Sequence, residues 1–256
     1  MRTTLLTIAC SLLLTGNVLY AQNARFPTSG IIEFEKTVNI YALIKKEINR
    51  DPGYMQQVFE QYKKDHPQFK KLKSIMTFAN DKTLFTPITN GDNSRGYFDI
   101  PLADQNNIIY SDLLTGTSIN QKKVFEEIFL VKDSIRKITW KITSETREIA
   151  GYTCRRANAI ILDSVYVVAF YTDQIHVSGG PESFTGLPGM ILGVALPHEN
   201  VTWFATKITD VTVADNTLLP PKKGKPVSIK ELKTTLQSVM KNWGDEAQSA
   251  LRAFML

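Results

Sequence analysis

Cysteine is almost missing from this chain: of two in 256 residues, Cys10 lies in the apolar run at the start and only Cys154 lies beyond it. With that run removed no internal disulfide can form, which excludes a bridge-held scaffold. Histidine is nearly as scarce. His66, His176 and His198 stand far apart with no His-x-x-x-His spacing, so no metal site is expected. A Gly-x-Ser-x-Gly elbow, a phosphate loop and a dinucleotide fingerprint are also absent, so no cofactor is expected either. There is no one-signed cluster of charge. The net charge of +5 is spread through Lys45-Lys46, Lys63-Lys64, Lys70-Lys71, Arg155-Arg156 and Lys222-Lys223 with acids between them, the pattern of a solvated surface and not of a nucleic-acid face.

The apolar run over 5–14, behind Met1-Arg2, is too short to span a bilayer and ends at the small residue Ala21. It predicts an export signal over 1–21 with the mature chain starting at Gln22, and 22–256 as a single domain without a transmembrane segment. Acylation of Cys10 fails on position, because most of the apolar run would follow the lipid. At 43% apolar composition the remainder can bury one substantial core.

Alternation dominates what is present. Ile32, Phe34, Val38 and Ile40 share one face of a first strand, and Val58, Phe59 and Tyr62 then recur at helical spacing, predicting a helix over 54–64 that ends before Pro67. Strands over 74–80 and 83–87 form a hairpin. The glycine-bearing stretch 89–96 is loop, and the surroundings of Asp92 do not match a calcium loop. Strands follow over 108–114, 118–125, 129–131, 137–143, 147–149, 154–162, 164–172, 190–196 and 200–213. Residues 166–171 are apolar throughout, which predicts burial on both faces. Ser228 with Glu231 three residues later is a capping box for a helix carrying Leu232, Leu236, Val239 and Met240, ending by Trp243-Gly244. The fold class is mainly β (α+β): a large curved antiparallel sheet, open or a half-barrel, with about two helices packed on it.

Residues 179–192 are the most unusual segment. Gly180, Pro181, Gly186, Pro188 and Gly189 fix a loop shape, while Phe184, Leu187, Met190, Ile191 and Leu192 favour burial. Two readings stay open: a platform on which Phe184, Leu187 and Met190 bind a ligand, or a wide loop closing one end of the barrel. The segment Gly186-Leu-Pro-Gly-Met-Ile191 resembles the motif that names the GLPGLI family, and the blocks Ile138-Thr-Trp-Lys-Ile142, Ile149-Ala-Gly-Tyr-Thr-Cys154 and Ala169-Phe-Tyr-Thr172 agree in order. Met190 and Phe170 depart from that pattern but keep its apolar character. The resemblance implies an exported protein of the kind found chiefly in Bacteroidetes, with no catalytic residues to assign. The layout alone resembles the half-barrel of periplasmic lipoprotein carriers, and layout does not fix function.

Chemistry is thinly marked. Cys154 beside Arg155 and Arg156 reads as a buried cysteine, since alternation puts Arg155 on the other face. The expected function is an exported, periplasmic or envelope-associated, non-enzymatic binding or accessory protein whose partner is an apolar or amphiphilic ligand or an outer-membrane protein. The alternatives are a hydrolase assembled from Glu182, His176 and Cys154, or a structural envelope protein.

Overall fold

The strand β1 (Ser29–Asn39) alternates half-buried and buried side chains without interruption, and the sheet is built outward from it. In this computed structural model residues 26–49, 52–88, 101–104 and 107–256 are described; the export signal, the cut before Gln22 and the loop around Asp92 lie outside them. On one side β1 pairs with β2 (Phe69–Ala79), which starts a meander through β3 (Lys82–Ile88), β4 (Ile108–Asp112), β5 (Thr117–Val124) and β6 (Glu127–Ser134). On its other side β1 pairs with β11 (Val201–Asp210), the inner end of a second meander that runs back through β10 (Met190–Leu196), β9 (Val165–Thr172) and β8 (Tyr152–Ile161) to β7 (Lys141–Ile149). The short β12 (Lys225–Val227) adds to β6 in parallel; the other pairings are antiparallel. Every link within a meander is local in sequence. The β1/β11 ladder, with Gly30 opposite Asp210 and Val38 opposite Val201, joins the two wings into one sheet.

Among the described residues the order of the twelve strands is open, ending on β12 and β7, as the alternation predicts. The second wing curls. Although three strands separate β7 from β11, the Arg147 guanidinium lies 4.7 Å from the Phe204 ring centre and 5.7 Å from that of Phe170. The bend passes over Gly193, where a Cβ would come within 2.6 Å of the Phe204 ring and 3.1 Å of Ile149. Trp203 faces the opposite way and meets Phe184 at 6.1 Å. Covered by β7 on one face and by the 179–189 loop on the other, β9 buries every residue but Tyr166, which is half-buried.

Two clusters make the core. The larger joins β1, β2 and β8–β11 with the loop residues Phe184 and Leu187 and with two helices at the end of β1, α1 (Ile40–Ile48) and α2 (Pro52–Asp65). The smaller lies between β5–β6 and the helices α4 (Ile229–Val239) and α5 (Asp245–Met255), the last two following a single-turn α3 (Pro101–Asp104) in the chain. The predicted stripe is largely used: Leu232, Leu236 and Met240 are buried, while Val239 is 57% exposed. The capping box also forms, with Ser228 Oγ accepting from the Glu231 amide at 3.2 Å and the Glu231 carboxylate accepting from the Ser228 amide at 2.7 Å.

Three elements differ from the sequence pattern. No ladder forms over 137–140, the first part of the strand that alternation predicts over 137–143, because Trp140 turns inward and donates from its indole N–H to Thr185 O at 2.9 Å; the strand starts at Lys141 and, past a register shift, continues to Ile149. Helix α1 starts directly after β1, capped by Asn39, whose side chain accepts from the Ala42 amide. Helix α5 follows Gly244, where the pattern predicts the end of helical structure. Among the described residues no helix is long and apolar enough to cross a membrane.

Candidate functional site

After β9 the chain drops onto the inner face of the sheet and returns at β10, and this excursion carries the 179–189 loop. It is tied at its base by the Ile191 amide donating to Gly179 O at 2.8 Å and the Met190 amide to Ile175 O at 3.0 Å. Phe184, Leu187 and Met190 are each at most 1% exposed and belong to the larger core cluster. Gly180 and Pro181 are buried with them; Gly186 and Pro188 reach the surface. Gly189 has φ +143°, and a Cβ there would sit 2.1 Å from Thr172 O, so the return of the chain is closed to any side chain.

At the crown of the loop Glu182 adopts φ +51°, a left-handed conformation costly for a non-glycine residue, and it is only 8% exposed. Asn107 donates to its carboxylate from Nδ2 at 3.0 Å. Two cations stand nearby, Lys122 buried and Arg136 half-buried. Lys122 donates to Phe254 O at 3.2 Å, and burial pushes its pKa down to about 8 against the opposing pull of Glu182. Arg136 donates to Met255 O, and Ser183 Oγ donates to Leu256 O at 2.9 Å. The carbonyls at the end of α5, the negative end of its dipole, are thus held by positive and hydroxyl donors from β5, the 135–140 segment and the loop. A second buried lysine, Lys36, donates to Leu102 O at 2.6 Å and lies 5.1 Å from the Trp203 ring centre.

Between Lys36, Glu182 and Trp203 a cavity of about 10 Å³ takes in Ser74, Phe85 and Asn107. Ser74 Oγ, Asn107 Oδ1 and Trp203 Nε1 are buried there without a protein partner. That volume and those donors and acceptors suit one water molecule. An acyl chain or a sugar ring does not fit. Of the inner-face groove that alternation allows along 138–142, 157–162 and 201–205, the last two stretches are filled instead, because Trp203 and Phe184 meet across it and Ala157, Ala159, Ile161, Val201 and Ala205 are all buried.

The residues that could make a hydrolase are not brought together. Cys154 is fully buried on β8, donates to Tyr152 O at 3.5 Å, and is pushed up to about 12 by burial and then by Glu148, so its thiol stays protonated and inert. His176 is exposed with its ring edge-on to Phe26. Only Glu182 enters the polar cluster, where its carboxylate accepts from the Asn107 amide and attracts the Lys122 ammonium. Among the described residues no group of three histidines, cysteines or acids is placed to hold a metal. Sequence reasoning passes over Lys36, Asn107, Lys122, Arg136 and Trp203. Two of them leave a trace: Lys36 interrupts the apolar face of β1 between Phe34 and Val38, and Lys122 lies two residues before Val124 on the buried face of β5.

The profile of a family described as "N-glycanase peptide, N-terminal domain" matches residues 62–230. The fold is similar to that of PNGF-II in two crystal forms. In the C2 form the identity is 16%, the TM-score 0.52 and the overlap 80% of this chain and 32% of that one; in the P21 form the figures are 17%, 0.51, 81% and 33%. This chain therefore spans about a third of the length of the solved structures it matches. No curated protein matches it. The family match overturns the GLPGLI resemblance, together with the Bacteroidetes attribution that it implied. All the blocks behind that resemblance lie within 62–230, and a short glycine-proline motif records a loop shape more than a lineage.

Proposed function

The chain belongs to the family of N-glycanase N-terminal domains, and on that premise we propose that it is a non-catalytic accessory module of N-glycan processing, exported to the periplasm or cell envelope by the segment 1–21. The observation that carries this reading is the family match over 62–230, which takes in β2 to β12 and both wings of the sheet. The geometry favours a supporting role over a catalytic one. Glycoside hydrolysis by the usual route uses two carboxylates several ångströms apart flanking the bond to be broken, whereas Glu182 faces the Asn107 amide and the buried Lys122 ammonium beside a cavity of about 10 Å³. Fold likeness to one third of PNGF-II fits a module that accompanies further machinery.

The test uses the purified protein immobilised on a column and an N-glycosylated protein, applied before and after its glycans are removed. The glycosylated form should be retarded more than the stripped form, and no free glycan should appear after prolonged incubation. Release of glycan would refute the non-catalytic assignment, and equal retardation of both forms would refute the role in glycan processing.

A further inference from the structure

A second concavity, of about 190 Å³, opens where β1, β2, β10 and β11 end. It lies on the sheet face opposite Trp203: Thr37 pairs with Thr202 and Asn39 with Phe69, and each pair shares that face. On the measure by which about 10 Å³ holds one water the space takes many, enough to seat one six-membered sugar ring in its open mouth. Three features fix the chemistry of what it can take. Phe69 is 46% exposed at its rim, an aromatic face left for something to cover. Thr37, Asn39, Asn200 and Thr202 supply hydroxyl and amide groups around it, and every residue lining the concavity is uncharged, so it selects neither an anion nor a cation. The Asn39 side-chain oxygen is engaged by the Ala42 amide at 3.1 Å and Gln68 Nε2 at 3.5 Å, which orients its Nδ2 hydrogens as the donors it can offer.

We propose that this concavity binds one neutral pyranose ring of a glycan, stacked by its C–H face on Phe69 and hydrogen-bonded by its hydroxyls to Thr37, Asn39, Asn200 and Thr202. An aromatic face is electron-rich at its centre and attracts the polarised C–H bonds of a sugar, while a ring of uncharged donors and acceptors matches its hydroxyls. The walls are positioned in advance. Asn39 is locked as the cap of α1, its amide donates to Asn200 O at 3.0 Å, and Asn200 is fixed at φ +55° by the turn behind β10. Little ordering is then left for binding to impose. This site rests on the proposed role in glycan processing and names the part of the surface that touches the sugar.

The experiment titrates the ¹⁵N-labelled full chain with N,N′-diacetylchitobiose and follows the amide resonances of Asn39, Phe69 and Asn200. Saturable shifts confined to this region are expected, with a dissociation constant on the order of 1 mM as befits a shallow, one-ring site. Phe69→Ala should weaken binding about tenfold or more, Phe69→Tyr should preserve it, and Thr202→Val should weaken it severalfold, all with unchanged melting. Shifts that are absent, lie elsewhere or survive Phe69→Ala unchanged overturn the proposal. If the shifts are absent while the column still retards the glycosylated protein, the groove alone is wrong. If both fail, the glycan-processing reading fails with it. A stronger response to a glycan-free peptide than to the disaccharide would make this a peptide site and overturn it as a sugar site.

Discussion

At the scale of the residue, backbone conformation and burial decide which positions are exacting. Gly186 and Gly189 both have positive φ, yet a Cβ at Gly186 would find nothing nearer than Trp140 Nε1 at 3.7 Å, whereas at Gly189 it would strike Thr172 O. Gly186→Ala should therefore cost only the left-handed strain, about 1–2 kcal/mol, and Gly189→Ala at least twice that. Urea denaturation of the two variants checks the order, and equal losses would show that the Gly189 clash is relieved by movement of the loop. Lys122 provides a pH-dependent counterpart. Its native pKa lies below the unfolded value, so between about pH 8 and 10.5 the unfolded chain holds a proton that the native chain has released, and stability rises with pH across that window. Measured against Lys122→Met, the parent should gain up to roughly 3 kcal/mol over that range. A difference between the two that stays flat with pH would mean that the ammonium reaches solvent.

At the scale of the element, local chemistry and tertiary packing can be separated on α4. Ser228→Ala removes one side of the capping box and should cost about 1 kcal/mol. Leu236→Ala, 2% exposed beneath the same helix, should cost about 2–5 kcal/mol. Thermal unfolding should rank them in that order; a cap variant as damaging as the core variant would imply that α4 is held by its end and not by its face. The edge strands show the complementary device. β7 is exposed and polar along most of its length, and β12 has three residues with Pro226 in the middle, so neither open end of the sheet offers a long apolar strand to another chain.

At the scale of the whole molecule, the β1/β11 seam carries the sheet, since it is the ladder that joins the two meanders. Hydrogen exchange should find the amides of β1 and β11 protected close to the global unfolding limit and those of β7 and β12 exchanging by local opening. If β1 exchanged as fast as β7, the two wings would be separate cooperative units. Bringing β1 to β11 also requires closing most of the chain into one loop, and hydrogen-exchange labelling during refolding should find the hairpins forming before the seam.

Read alone, the sequence determined the elements whose cause is local. Alternation marked β1 and β8–β11, the Ser228/Glu231 pair marked the start of α4, and the apolar run over 166–171 marked a strand buried on both faces, because side-chain period and capping depend only on near neighbours. Glycine and proline likewise announced a fixed loop at 179–189, but not its ancestry. Tertiary structure decided the rest. Trp140 left the ladder because Thr185 O lay within reach, and α5 became stable because β5 and β6 offered it an apolar face and Lys122, Arg136 and Ser183 held its last carbonyls. The polar cluster around Glu182 joins residues from 36 to 256, and the Phe69 concavity joins the ends of four strands, so neither has a signature within any one stretch of chain. Burial, pKa and the fit of a ligand depend on what surrounds a group in space, and the fold alone supplies those surroundings.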